Sequence, residues 1–561
     1  MKIKGVFPIL EWLPNYNKKD LAGDFSSGLI VAIMLIPQGI AYAMLAGLPP
    51  VVGLYASTIP LIVYALFGTS RHLGVGPIAV ISLLVFTGVS PLAKPGTEEY
   101  VFLVIILTFM VGLLQLAMGS LRLGFMVNFL SHAVISGFTS ASAIIIGFSQ
   151  LKHLLGVPLE SDNVFMILWE ASQRIAEVDP ITLSIGIGSI LFLVLLAKYS
   201  PKVPAQLVAV LLTILLTYFL DLNRLGVQIV GDVPGGLPGI SLPFLNLKIE
   251  NVVALLPTAL TISFIGFIEA IAIAKSIAMK EKYKVNSNQE LIGLGMANVA
   301  SSLVSGYPVT GAFSRSAVNF QSGGRTQLSS IITAVIIILT LLFFTDLFYF
   351  LPNAVLAAIV MVAVYKLIDI KEAKYLFKVN ITDGMAWLIT FLVALIVGVE
   401  QGILIGVAFS LIFFIWRSAY PNTAELGYLE SEDVFRDITH HPSAKVDPEV
   451  LIFRVDASLF FANMAFLENE LYEEVKENPD IKWIIYDFSG VNSIDAVAIH
   501  SLEKMIEDYS KRNIRFKFAR IKRTVRDMLD KAGWEEKHGK DMIYYSIRQA
   551  LDDINDARIL A

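Results

Sequence analysis

The stretch GYPVTGAFSRSAVNFQSG, residues 306 to 323, decides the fold because it interrupts a series of long apolar runs. It is too short and too rich in glycine, serine and proline for an ordinary membrane-spanning helix, which takes about 20 apolar residues. It also places Arg315 at bilayer depth, where a charged side chain is costly and indicates a functional site. What Arg315 meets there is the question that the rest of the sequence has to answer.

The composition indicates an integral membrane protein. Of the 561 residues, 55% are hydrophobic and only 16% are charged, whereas soluble proteins carry roughly 25% charged residues. Of the 48 acidic residues, 27 lie from Glu425 onward, so an intramembrane unit precedes a more soluble one. The absence of cysteine excludes disulfides, thiolate metal sites and cysteine nucleophiles. The net charge of −5 does not suggest a nucleic-acid partner.

About fourteen apolar segments, some of them tilted or broken, are predicted for a transmembrane domain over residues 21–417. Basic loops such as 275–284 and 365–378 alternate with acidic or nearly uncharged ones, which predicts that both termini are cytoplasmic. Residues 1–20 have neither a continuous apolar core nor a cleavage site. They are predicted to form a cytoplasmic segment on the membrane surface rather than a signal peptide.

The third and tenth segments, residues 71–84 and 306–320, are both broken, and they hold matching positions in two seven-segment halves. Interrupted segments in corresponding positions indicate the binding site of a transporter. If their helix N-termini face each other near the midplane, they form a cradle for an anion that needs no metal. Arg315 then adds a fork of charged donors for an oxyanion. The alternative is an internal ion pair between Arg315 and Glu269, which lies in another apolar run.

Glu269 is the second charge out of place in an apolar run. Burial disfavours its ionised form, and a neighbouring arginine favours it. A dianion arriving at Arg315 would repel ionised Glu269 and promote its protonation, which would couple substrate binding to proton binding. The alternative is a pair with Lys275, but a spacing of six residues suits one helix face poorly.

The C-terminal part predicts a different architecture, a cytoplasmic α/β domain over residues 445–555 that follows a polar, irregular linker over 418–444. Its predicted strands are residues 450–455, 482–488 and 514–521, and its predicted helices are residues 463–478 and 495–512.

Four long motifs closely resemble the sulfate permease (SulP) anion-transporter family, and the resemblance spans essentially the whole chain. The motifs are DLAGDFSSGLIVAIMLIPQGIAYAMLAGLPPVVGLYAS (20–57), GTSRHLGVGPIAVISLL (68–84), EAIAIAKSIA (269–278) and GAFSRSAVN (311–319). The resemblance implies an α-helical integral membrane protein made of two inverted seven-segment repeats, working as a homodimer. A core of segments 1–4 and 8–11 would move like an elevator against a gate of segments 5–7 and 12–14.

The resemblance is greatest to the plant proton–sulfate symporters, and it assigns site residues one by one. It gives Glu269 the proton-coupling role. Gln38 and Tyr42 are four residues apart on a helix kinked by Pro37, and without the resemblance they would be ordinary polar core residues. The residues expected to bind the substrate, by side chain or backbone N–H, are Gln38, Tyr42, Ile78, Ala79, Phe313, Ser314 and Arg315.

The tail resembles a STAS domain through YDFSGVNSIDAVAIHSL, residues 486–502. In the bacterial antagonists of this group a phosphorylatable serine follows the motif aspartate, but here Ala496 follows Asp495, and Ser493 is a weak substitute. A folded domain that supports a dimer is the expected role. Nucleotide or anion binding at the helix N-terminus is the alternative.

Together these features predict a secondary active transporter of the plasma (inner) membrane, not an enzyme, that carries sulfate with protons and needs no cofactor or metal. Sodium-coupled transport of bicarbonate or a dicarboxylate is an alternative, although Glu269 stands where some bicarbonate relatives have a sodium-binding pattern. An uncoupled chloride/bicarbonate exchanger or channel, and a membrane sensor that signals through the tail, are the others. The expected partners are the anion, membrane lipid and a second copy of the chain.

Overall fold

The computed structural model describes residues 7–125, 131–159, 161, 163–200, 204–243, 248–539 and 542–560. The first six residues of the predicted N-terminal segment therefore lie outside the described residues. The chain divides into two compact units, residues 1–410 and 411–561.

The first unit is helical and apolar. Within the described residues, eight helices are long and apolar enough to cross a membrane, and four shorter apolar helices accompany them. With the helices of the ninth and tenth segments they occupy the fourteen predicted segments. A short surface helix, α1 (Ile9–Trp12), precedes them.

Segments 1–4 and 8–11 contain the helices of the predicted core, and two of them also contain a short strand. The first set is α2 (Leu21–Leu45), α3 (Pro50–Tyr55), α4 (Ile59–Phe67), β1 (Val75–Gly76), α5 (Ala79–Val89) and α6 (Glu98–Ser120). Segments 5–7 of the predicted gate follow as α7 (His132–Ser149), α8 (Leu151–Leu155), α9 (Val164–Gln173), α10 (Pro180–Tyr199) and α11 (Ala205–Phe219).

The second half repeats this order. Its core set is α12 (Ile249–Lys280), α13 (Ser287–Leu303), β2 (Thr310–Gly311), α14 (Phe313–Gln321) and α15 (Leu328–Phe343). Its gate set is α16 (Asn353–Tyr365), α17 (Ile370–Val379), α18 (Ile381–Ile396) and α19 (Val399–Ala419).

The packing of the helices confirms the division into two repeats. In the core, α2 packs on α15 as α12 packs on α6, and α4 packs on α15 as α13 packs on α6. In the gate, α7 packs on α18 as α10 packs on α16. In each comparison, exchanging the first seven segments for the last seven turns one packed pair of helices into the other. Glycine permits the close approach of α13 to α6: a Cβ on Gly295 would lie 2.8 Å from the backbone nitrogen of Leu116.

The second unit is an α/β domain with a six-stranded sheet in the order β4-β3-β5-β6-β7-β8. Strands β5 to β8 pair in parallel, whereas β3 pairs with both β4 and β5 in antiparallel fashion. The strands are β3 (Thr423–Leu429), β4 (Val434–Asp437), β5 (Val450–Val455), β6 (Trp483–Asp487), β7 (Arg515–Ala519) and β8 (Ile543–Tyr544). The helices are α20 (Met464–Glu477), α21 (Ala496–Ser510), α22 (Arg523–Lys531), α23 (Trp534–His538) and α24 (Ile547–Leu560).

The predicted linker, residues 418–444, is wrong in one respect, because it contains β3 and β4 and so belongs to the sheet. Thr423 pairs with Val455, the end of a predicted buried strand. These strands lie on the edge side of the sheet, and β4 has no buried residue. Their polar composition therefore resembles that of a loop.

Candidate functional site

The two broken segments meet through a short antiparallel ladder. Val75 pairs with Gly311 and Gly76 pairs with Thr310, and each strand leads within three residues into a half-helix. Neither N-cap residue, Ile78 nor Ala312, closes the first turn of its helix with a side-chain hydrogen bond. The first N–H groups of α5 and α14 thus remain available to a ligand, and the positive ends of both helix dipoles lie beside one ladder.

Arg315 projects from α14 to the other half of the site. Its side chain is 1% exposed, and Nη1 donates a 2.8 Å hydrogen bond to the carbonyl oxygen of Pro77. Its Nε and Nη2 atoms are buried and have no acceptor in the described part of the chain. Buried donors of a charged group are costly to leave unpaired. Two of the donor atoms on this guanidinium are therefore free for an anion.

The strand before α5 is shaped to admit this guanidinium. Gly76 has a φ of 148°, a conformation that favours glycine. A Cβ added there would lie 3.3 Å from Nη2 of Arg315, and one added to Gly74 would lie 2.9 Å from its Cβ. The glycines of GVGP thus make room for an arginine that belongs to the other repeat.

Gln38 and Tyr42 lie one turn apart on α2, and both are buried. Gln38 Nε2 donates to Oε1 of Gln206 on α11 at 3.2 Å, while its own Oε1 has no partner among the described residues. Tyr42 is close enough to Arg315 to act on it electrostatically, as is Tyr307. Tyr42 therefore lies at the predicted site, and Gln38 links the core to the gate through its hydrogen bond to Gln206.

The remaining predicted binding residues differ in their exposure. Ile78 and Ala79 are buried at the start of α5. Phe313 is 69% exposed and Ser314 is also exposed at the start of α14. The second half-helix is thus the accessible side of the cradle.

Glu269 lies on α12 but forms no ion pair with Arg315 or Lys275, so neither alternative pairing is present. Its side chain lines a small apolar cavity where core and gate helices meet. One turn earlier, the carbonyl of Gly266 accepts a 2.5 Å hydrogen bond from Thr310 of β2. The other lining residues are Val134, Ile135 and Phe138 of α7, Ile265 and Ile268 of α12, and Ile403 of α19.

Sequence reasoning missed Gln206 and Tyr307. Gln206 lies at the start of an apolar segment, where a polar residue is unremarkable. Tyr307 is fully buried, and its hydroxyl lies 3.0 Å from that of Ser82 in α5. The position of Tyr307 within the quoted stretch, directly after Gly306, is the one signal that the sequence offered.

In the α/β unit, Asp495 caps α21. One of its carboxylate oxygens accepts from Ala498 N at 2.7 Å and the other from Phe461 N at 3.0 Å. Ala496, the next residue, has no hydroxyl to modify, and Ser493 is exposed. The aspartate of the motif thus serves here as a helix cap.

Facing half-helices beside a buried arginine, inside a bundle of two related halves, are the arrangement expected of a membrane transporter. The chain belongs to the sulfate permease family, whose model matches residues 21–390, and the STAS domain model matches residues 441–550. As a member of this family it is a transporter and not an enzyme.

Relatives and solved structures agree with this assignment. The chain is 38% identical to sulfate transporter 4.1, chloroplastic, of Arabidopsis thaliana over 98% of its own length and 82% of that protein. It superposes on the murine Slc26a9 anion transporter in the inward-facing state with a TM-score of 0.91 at 25% identity, over 98% of this chain and 94% of that one. The chain superposes on the transmembrane domain of the cyanobacterial bicarbonate transporter BicA with a TM-score of 0.61 at 26% identity, over 71% of this chain and 98% of that one.

Proposed function

We propose that the protein is a proton-coupled sulfate symporter of the plasma (inner) membrane, with both termini in the cytoplasm. The observation that carries the proposal is the pair of unpartnered donor atoms on Arg315, beside two uncapped helix N-termini. The sulfate transporters among the relatives, one of them 38% identical, support sulfate as the anion.

Sulfate suits this cradle because its charge and its oxygens are spread in three dimensions. Arg315 would hold two oxygens with its fork, and the N–H groups at the starts of α5 and α14 would reach the others. Tyr42 and Gln38 would bound the cradle on the α2 side. The exposed turn of α14, at Phe313 and Ser314, would be the route of entry.

Proton coupling is proposed for Glu269 because the other residues that line its cavity are all apolar, and no ion pair joins it to a cation in the described part of the chain. An unpaired carboxylate in such surroundings is disfavoured in its charged form. The cavity lies where α12 of the core meets α7 and α19 of the gate. A proton on Glu269 would therefore ease movement of the core past the gate and connect protonation to transport.

An elevator-like movement of the core against the gate would explain why the binding groups lie almost entirely in the core. Arg315 and both half-helices belong to the core, so the anion would travel with that unit. The hydrogen bond from Gln38 to Gln206 crosses to the gate and would have to break during each cycle. A homodimer joined through the gate helices would provide the fixed frame.

The coupling is tested by uptake of radiolabelled sulfate into proteoliposomes with an inward proton gradient. Glu269→Gln is expected to abolish the stimulation by the gradient while sulfate–sulfate exchange continues. Glu250→Gln on the same helix, where the glutamate is exposed, is the matched control and is expected to behave as wild type. Stimulation by sodium instead of protons, or unchanged stimulation in Glu269→Gln, would contradict the proposal.

The location of the site is tested with single cysteines, because the natural chain contains none. Ser314→Cys is expected to react with a negatively charged methanethiosulfonate reagent, and sulfate is expected to slow that reaction. Ser172→Cys, at an exposed position on α9, is the control and should react equally with and without sulfate. Equal protection at both positions, or at neither, would place the anion elsewhere.

A further inference from the structure

Two buried carboxylates outside the anion site share one unusual bonding pattern. Asp24 on α2 and Glu290 on α13 are both fully buried, and neither has a cation partner in the described part of the chain. Each carboxylate accepts from two successive backbone N–H groups, from the threonine hydroxyl of the same pair and from a tyrosine hydroxyl. We call these arrangements the Asp24 clamp and the Glu290 clamp.

The Glu290 clamp holds the segment that enters the first half of the site. Glu290 Oε1 accepts from the N–H of Thr69 at 2.6 Å, from the N–H of Ser70 at 2.9 Å and from the Thr69 hydroxyl at 2.5 Å. Its other oxygen accepts from the Tyr64 hydroxyl at 2.6 Å. A residue of the second repeat thus fixes the chain five residues before β1.

The Asp24 clamp holds the segment that leaves the second half of the site. Asp24 Oδ1 accepts from the N–H of Arg325 at 2.6 Å and from the N–H of Thr326 at 3.0 Å. Its Oδ2 accepts from the Thr326 hydroxyl at 2.6 Å and from the Tyr16 hydroxyl at 3.2 Å. A residue of the first repeat thus fixes the chain that follows α14.

The two clamped segments are bound to each other. Gln327 Nε2 donates to the carbonyls of Ser70 and Leu73, at 2.8 and 3.1 Å. Asn319 Nδ2 donates to the carbonyl of His72 at 3.1 Å. The chain from residue 69 to the ladder and the chain from α14 to residue 327 therefore form one hydrogen-bonded body, with a clamp at each end.

We infer that Asp24 and Glu290 are positioning residues for the anion site, which rests on the proposed sulfate function. Together they set where Gly76 and Pro77 stand relative to Arg315, although neither carboxylate touches the anion. Only an ionised carboxylate can accept at both oxygens from all of these donors. An amide of the same shape would turn an NH2 group toward a donor and loosen the segment at one end.

The test measures sulfate uptake as a function of concentration for wild type, Asp24→Asn and Glu290→Gln in proteoliposomes, with each protein quantified after reconstitution. Each substitution is expected to raise the KM for sulfate about tenfold, because buried donors lose their acceptor. The maximal rate is expected to fall much less, because no group that contacts sulfate has been removed.

Asp179→Asn is the matched control. Asp179 is the N-cap residue of α10 in the gate, where it accepts from the N–H groups of Ile181 and Thr182 and from the Thr182 hydroxyl. Loss of this carboxylate is expected to lower thermal stability in detergent, as the two test substitutions do, but to leave the KM unchanged. An equal rise of KM in all three variants would overturn the inference, since general loosening would then explain it.

Thr69→Val and Thr326→Val are milder substitutions that decide the matter if the carboxylate variants do not fold. Each removes one donor from one clamp, and each is expected to raise the KM about threefold. If the folded variants keep the KM of the wild type, and the wild type takes up sulfate, the inference is overturned but the proposed function is not. Absence of sulfate uptake by wild type disproves the proposed function, and the inference falls with it.

Discussion

The two broken segments have the same backbone plan and opposite chemistry. In each, a two-residue strand leads into a helix whose N-cap side chain leaves the first turn open. From Leu73 to Ala79 the first segment is buried and uncharged. The second contributes Arg315 and begins its helix with the exposed Phe313 and Ser314.

This difference shows how two repeats with the same backbone can form a site in which only one repeat supplies a charge. The shared backbone supplies two helix N-termini beside one ladder, where the proposed anion would bind, and duplication accounts for both at once. Only one of the two segments needs a charged side chain, and the other must leave space for that side chain. The first segment does so with Gly74 and Gly76 and with a carbonyl acceptor at Pro77.

The largest effect is expected from Arg315→Lys, which keeps the charge but removes the fork. A lysine ammonium is a point charge that cannot bind two oxygens side by side, so uptake at low sulfate should fall about 100-fold. Concentration-dependent uptake into proteoliposomes measures this effect. Arg224→Lys, at an exposed arginine that pairs with Asp221 at 3.6 Å, is the control and should match wild type. Superimposable uptake curves for Arg315→Lys and wild type would mean that the guanidinium of the second segment has no specific role in binding sulfate.

The next effect compares glycines at paired strands, Gly76→Ala and Gly311→Ala. Alanine at Gly76 must adopt a φ of 148° and place its Cβ 3.3 Å from Arg315 Nη2, at a backbone cost of about 1–3 kcal/mol. Gly311 has no positive φ, and a Cβ there meets the flexible end of Leu73 at 2.6 Å.

Uptake and thermal stability in detergent should therefore both fall further in Gly76→Ala, with uptake reduced about tenfold by a cost of this size. Gly311→Ala should lose less of both. The reverse order would mean that the first segment is not the one shaped around the arginine.

The sequence points to those members of the candidate site that are conspicuous residues. Arg315 and Glu269 are recognisable because a charge in an apolar run is rare, and the family resemblance added Gln38 and Tyr42. Gln206 escaped notice because its role depends on a helix that is distant in sequence. Asp24 and Glu290 escaped because each lies near the end of an apolar run, where a charge normally meets water.

The order of the segments was predictable for a similar reason, since apolar length and loop charge are local properties. The start of the α/β sheet was not, because β4 is the edge strand, β3 lies next to it, and β4 has no buried residue. Strand pairing, which identifies them, depends on β5 and is not a local property of the sequence.

The smallest effect compares Ser316→Ala with Ser82→Ala, at equivalent positions four residues after the two N-caps. Both hydroxyls donate to the carbonyl of the N-cap residue, Ser316 to Ala312 at 2.7 Å and Ser82 to Ile78 at 2.9 Å. Each hydroxyl also joins the two segments: that of Ser316 accepts the N–H of Gly74 at 2.9 Å, and that of Ser82 lies 3.0 Å from the hydroxyl of Tyr307.

Ser316→Ala leaves the buried N–H of Gly74 without an acceptor, and Ser82→Ala leaves the buried hydroxyl of Tyr307 without this partner, so each should cost about 1–3 kcal/mol of stability. Thr108→Val is the control, because it removes only a hydrogen bond within α6, worth about 1 kcal/mol. Thermal unfolding in detergent, followed by tryptophan fluorescence, should therefore give lower midpoints for Ser316→Ala and Ser82→Ala than for Thr108→Val. Midpoints equal to that of Thr108→Val would mean that the hydrogen bonds between the segments add nothing to the stability that each half-helix has alone.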